Sequence, residues 1–155
     1  MDVPTGTPEM GLVYCYAEAW NRLDLSDFAR HLAREVTYDS QHVFEQLCGR
    51  EDVERHLREK MKTIRGLPNK QVRAEIGLCG DQRGWTVRVL EASENRPCVL
   101  LQQGPSPDPV ALVLIDVEEK EGDAPTVTGI GVCTVAPHPS TAHRTGIYPG
   151  LGAAS

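Results

Sequence analysis

The stretch Leu12–Arg65, LVYCYAEAWNRLDLSDFARHLAREVTYDSQHVFEQLCGREDVERHLREKMKTIR, changes its apolar period twice. In its first part Leu12, Tyr16, Ala19, Trp20 and Leu23 recur at helical spacing and define one face of a helix. Thr7-Pro8-Glu9 just upstream supplies a capping hydroxyl, a proline suited to the first helical position and an acid at the positive end of the dipole. A second helix is predicted from Asp24, with Leu25, Phe28 and Leu32 turned inward. Val36–Ser40 is short and rich in β-branched and aromatic residues, and reads as a strand. Gly49-Arg50-Glu51-Asp52 then opens a third helix with a single stripe of Val53, Leu57, Met61 and Ile64, which Gly66 and Pro68 stop.

Beyond Pro68 the period becomes two. Val72, Ala74, Ile76 and Leu78 alternate with more polar neighbours, as do Trp85, Val87 and Val89, and a glycine-rich turn at Gly80–Gly84 joins them. Cys98–Gln103, Val110–Glu118 and Thr126–Val135 read as three further strands. The run Val110–Ile115 is apolar at successive positions, which marks a strand covered on both faces. Three helices leave too little material for a second layer, so a homodimer through the outer sheet face is the expected cover. Residues 137–155, rich in proline and glycine, predict an irregular tail after a single domain over 1–136.

Length and composition agree with that plan. A chain of 155 residues is one domain in size, with enough volume for a real core. The formal net charge of −6 argues against a nucleic-acid partner. No apolar run is long enough to span a bilayer, and no basic-then-apolar leader opens the sequence, so a cytoplasmic protein is expected. Cys15, Cys48, Cys79, Cys98 and Cys133 contain no Cys-x-x-Cys pair and read as free thiols. No metal site is predicted, and Gly129-Ile130-Gly131, with no helix to follow, is not a dinucleotide fingerprint, so no cofactor is expected.

The order helix, helix, strand, helix, strands, together with Tyr16-Ala17-Glu18-Ala19-Trp20, Val36-Thr37-Tyr38-Asp39-Ser40 and Leu47-Cys48-Gly49-Arg50, resembles the nuclear transport factor 2-like superfamily over about Leu12 to Val135. That resemblance implies an α+β cystatin-like cone: three N-terminal helices packed on a curved, mostly antiparallel six-stranded sheet, with a pocket between the layers. It names no reaction, because the superfamily includes ketosteroid isomerase, polyketide cyclases, scytalone dehydratase, limonene epoxide hydrolase and non-catalytic domains.

Against ketosteroid isomerase, Tyr16 falls where the oxyanion-hole tyrosine stands. The general-base aspartate falls on Ser40, whose hydroxyl is no base near neutral pH, and the second aspartate falls near Val113. Steroid isomerisation is therefore disfavoured. The expected function is binding of a small apolar molecule in a pocket lined by Tyr16, Trp20, Tyr38, Ser40, His42 and Trp85. One alternative is an enzyme of the polyketide cyclase, isomerase or dehydratase type, with Tyr16, Asp39 and His42 as its candidate catalytic groups. Strand alternation turns Asp39 away from Tyr38 and Ser40. A second alternative is a non-catalytic dimeric interaction module whose cone is filled by large side chains. His31 and His56, on helices among charged neighbours, read as solvated.

Overall fold

The computed structural model describes residues 7–40, 43–66, 71–79, 86–87, 90–91, 96–106, 108–133 and 142–151. Helix α1 spans Pro8–Arg22, and the hydroxyl of its N-cap Thr7 accepts the Met10 amide at 3.1 Å. The second helix is a single turn, α2, Ser26–Ala29, entered through an Asp24 carboxylate that accepts from the Ser26 amide. Leu32, expected on that helix, instead opens strand β1, Leu32–Ser40. Its side chain is still buried, because it lies where the sheet meets the helices.

Strand β2, Val43–Cys48, has no counterpart in the sequence reading. It pairs antiparallel with β1, Tyr38 lying opposite Leu47. Helix α3, Arg50–Arg65, follows from Gly49 at φ +99°, a conformation that favours glycine. The sheet continues with β3, Val72–Leu78; a small ribbon, β4, Thr86–Val87, and β5, Leu90–Glu91; then β6, Pro97–Gln103, β7, Pro109–Glu118, and β8, Thr126–Cys133. A last strand, β9, His143–Ile147, comes from the tail.

The sheet order is β2-β1-β8-β7-β6-β3-β9. Only the β1–β8 pair is parallel. The principal sheet therefore has seven strands where six were expected, because β2 and β9 join it and Thr86–Val87 pairs with Leu90–Glu91 in a separate ribbon. Shifts of register between Tyr38 and Ser40, Leu101 and Gln102, and Asp116 and Val117 mark bulges, which bend and twist strands.

One face of the sheet carries the main core. Tyr38, Ile76, Val99, Val113, Ile115 and Ile130 pack with Leu12, Tyr16 and Trp20 of α1, Phe28 of α2 and Val53, Leu57 and Met61 of α3. The other face carries Cys79, Cys98, Leu100, Leu112, Leu114 and Cys133, each of 0% exposure within a single chain. Ala111 to Ile115 are thus buried on both faces, as the continuous apolar run implied, while Val110 is 42% exposed. The β4–β5 ribbon lies against β7 and β8, and Ala142 packs on the outer cluster. The residues of this outer cluster are therefore already covered within a single chain.

The tail is the second correction. His143–Ile147 is a regular edge strand, antiparallel to β3, and not an irregular segment. Polar chemistry holds it there. The carboxylate of Glu75, 2% exposed, accepts from Arg144 Nε at 2.7 Å, from the Gly146 amide at 2.7 Å and from Gln102 Nε2 at 3.0 Å. A buried carboxylate needs such partners, and most of these come from the tail itself. Periodicity cannot register a strand held by one buried ion pair in place of an apolar stripe.

Candidate functional site

A cavity of about 550 Å³ lies between α1, α3 and the sheet. Its depth is made by Tyr16 and Trp20 of α1, Tyr38 and Ser40 of β1, Ala111 of β7 and Val132 of β8. All six are at least 94% removed from solvent. Its rim is made by the exposed Glu59 and Thr63 of α3, Gln103 of β6 and Val110 of β7. The layers stay apart there because α1 packs on β3, β6 and β7 while α3 packs on β1 and β2. The Arg65 guanidinium, donating to the Leu23 carbonyl, ties the end of α3 to the end of α1.

Four of the six residues expected to line a pocket, Tyr16, Trp20, Tyr38 and Ser40, lie on this wall. His42 and Trp85 lie outside the described residues. Of the candidate catalytic groups, only Tyr16 is on the wall among the described residues. Asp39 is on the opposite side of β1, where its carboxylate accepts from Gln46 Nε2 of β2 at 2.7 Å. Alternation along the strand is the cause: Tyr38 and Ser40 face the helices and Asp39 between them does not. The position matched to the second isomerase aspartate, Val113, is a fully buried core residue. Among the described lining residues Glu59 is the one carboxylate, and it stands at the rim.

Helix α3 contributes what the sequence reading missed. His56 and Lys60, one helical turn apart, both line the cavity. His56 is half-buried and not on a fully solvated face. Its ring lies 4.9 Å from the Tyr38 ring, tilted by 59°, and its Nε2 is buried with no hydrogen-bond partner among the described residues. The apolar stripe of α3 held the clue. Val53, Leu57, Met61 and Ile64 leave His56 and Lys60 beside the stripe, at its edge and not on the opposite face.

Electrostatics follow from burial. Desolvation lowers the pKa of His56, helped by the positive charge of Lys60 and opposed by Glu59. Desolvation alone lowers that of Lys60. It raises the Tyr38 phenol to about 12. The Tyr16 phenol is pushed still further up by desolvation, then by Tyr38, with the nearby Trp20 indole opposing. That indole N–H nevertheless reaches good hydrogen-bond geometry with no group among the described residues. Both phenols stay protonated at neutral pH and serve as neutral hydrogen-bonding groups, while the imidazole is uncharged. Tyr16 is itself clamped in an aromatic cluster, 4.9 Å from Phe28 and 6.3 Å from Trp20 between ring centres.

No family model and no curated protein matches the sequence. Solved structures do resemble the fold. An uncharacterised protein with a cystatin-like fold from Caulobacter vibrioides superposes with a TM-score of 0.56 at 16% identity, covering 83% of this chain and 87% of that one. A domain of unknown function with a cystatin-like fold from Nostoc punctiforme gives 0.53 at 12% identity, covering 85% and 80%. A SnoaL-like protein of unknown function from Burkholderia thailandensis gives 0.50 at 16% identity, covering 94% and 100%. At these identities the likeness is one of fold: the chain shares a cystatin-like α+β fold with these proteins.

Proposed function

We propose that the protein binds one small, predominantly apolar molecule in the cavity between α1, α3 and the sheet. The observation that carries this reading is the cavity's combination of size and wall. At about 550 Å³ it falls in the range of small-molecule sites, and its depth is aromatic and aliphatic apart from a few polar atoms. A core that served packing alone would be filled to native density. Here large side chains surround the space without closing it, which disfavours the filled-cone interaction module.

Acid–base catalysis has weaker support. Asp39 faces away from the cavity, so that carboxylate and the Tyr16 phenol do not meet, and His42 lies outside the described residues.

The test uses a neutral apolar dye, Nile red, whose emission rises in an apolar site. Saturable binding at one dye per chain is expected. Thr63→Trp places a bulky ring at the rim, on an exposed helical position. It should abolish that binding while leaving the thermal unfolding midpoint within about 2 °C of wild type, as surface substitutions do. Non-saturable binding, or binding unchanged by the plug, defeats the reading.

A further inference from the structure

Resting on that reading, we infer that the cavity's ligand is an apolar acid: an aryl or alkyl carboxylate whose tail fills the aromatic depth and whose oxygens are held by Lys60 and His56.

Two polar groups of α3 that line the cavity lack partners of their own among the described residues. The His56 Nε2 is buried and unpaired, and donates when the imidazole carries its proton there. Lys60 is half-buried and forms no ion pair among the described residues. Its Nζ lies 6.0 Å from the Tyr38 ring centre, at the outer limit of a cation–π contact. Three arginines of α3 differ. Arg50, Arg55 and Arg58 each reach a carboxylate on their own helix.

Buried polar groups without partners cost free energy, and native folds leave few of them. Here the unpaired set is rich in donors and includes a cation, so its complement is an acceptor with negative charge. A carboxylate offers two oxygens, enough to accept from both groups. Glu59 also lines the cavity, but it is exposed at the rim, where water screens its charge more than it screens Lys60. The remaining wall is apolar, which selects a hydrophobic tail and disfavours a small inorganic anion.

Competition against Nile red tests the assignment with two probes of nearly one shape, 1-naphthoate and the neutral ketone 1-acetylnaphthalene. The carboxylate should displace the dye about tenfold or more better than the ketone, the range of a hydrogen bond to a charged group. Lys60→Met keeps the aliphatic stem and removes the charge. It should abolish most of that preference, the carboxylate losing far more than the ketone. If Lys60→Met fails to fold, the wild-type protein decides: the preference should shrink several-fold between about 0.05 and 0.5 M salt. Equal competition by the two probes, an equal loss of both in Lys60→Met, or a preference indifferent to salt overturns the assignment. So does failure of both probes to displace a dye that itself binds. A protein that does not bind the dye loses the cavity reading first.

Discussion

Replacing Asn21 by alanine removes an amide that acts as a short piece of strand. Near its end, the last turn of α1 brings Asn21 against the exposed edge of β3. There Asn21 Oδ1 accepts the Ala74 amide at 2.7 Å and Nδ2 donates to the Ala74 carbonyl at 2.9 Å. The pattern is that of a paired neighbour in an antiparallel sheet. Strand β9 pairs with β3 at Ile76, Gly77 and Leu78 and does not reach Ala74, so the side chain completes the ladder. Nδ2 also donates to the Pro149 carbonyl at 2.7 Å and so anchors the tail. Ala74 is wholly buried, and the alanine variant would leave its amide and carbonyl without partners. An unsatisfied buried group costs about 1–3 kcal/mol, and water admitted to the half-buried site recovers some of it, so a loss of about 3 kcal/mol is expected. In urea, with a slope of about 2 kcal/mol per molar, the midpoint falls by about 1.5 M. Circular dichroism at a helical wavelength follows the transition. Asn21→Asp provides the control. Its carboxylate accepts from Ala74 but faces two carbonyl oxygens with no proton to offer, so it fails like alanine at pH 7. Below about pH 4 the acid protonates and regains ground relative to alanine. A midpoint shift under about 0.5 M for Asn21→Ala would refute the reasoning, because it would mean that water replaces the amide at little cost.

Gly77→Ala places a Cβ 2.7 Å from Leu100 Cδ1, 2.9 Å from Leu100 Cγ and 3.3 Å from Cys98 Sγ in a fully buried cluster. A loss of about 1–3 kcal/mol is expected in urea titration, partly recovered by Leu100→Ala. Arg144→Met leaves the buried Glu75 carboxylate with neutral donors only. A loss of about 2 kcal/mol, discounted for the partial exposure of the arginine, should come with faster proteolysis after residue 142. The lowered pKa of His56 makes the unfolded chain bind the extra proton first. Stability therefore rises with pH between the lowered value and about 6.5, and His56→Gln should flatten that slope in thermal unfolding across pH 5.5 to 7.5. Light scattering should return the 17.0 kDa of one chain, since the outer sheet face is already covered. A doubled mass would require an interface elsewhere on the surface.

Much of the architecture is written locally. Helix α1 follows from Thr7-Pro8-Glu9 and the spacing of Leu12, Tyr16 and Trp20, and α3 from an apolar stripe between two glycines. The strands β3, β6, β7 and β8 follow from alternation or from a continuous apolar run, because burial on one or two faces leaves its period in the sequence. Four residues of the cavity wall, Tyr16, Trp20, Tyr38 and Ser40, were legible for the same reason: helix phase and strand alternation set direction without knowledge of the neighbours.

What tertiary structure decided is of another kind. β9 has no periodicity of its own and is held by Glu75, 69 and 71 residues before its partners Arg144 and Gly146, so only the fold brings them together. The cover of the outer sheet face is likewise a matter of where the chain returns, and the sequence alone pointed to a second subunit. His56 and Lys60 are the sharpest case. By composition they belong to a charged, solvated helix face, and they became cavity groups because α3 rests on β1 and β2 at an angle that turns the stripe's edge inward. Direction within an element is a local property of the chain, whereas burial and unpaired polarity are properties of what is packed against it.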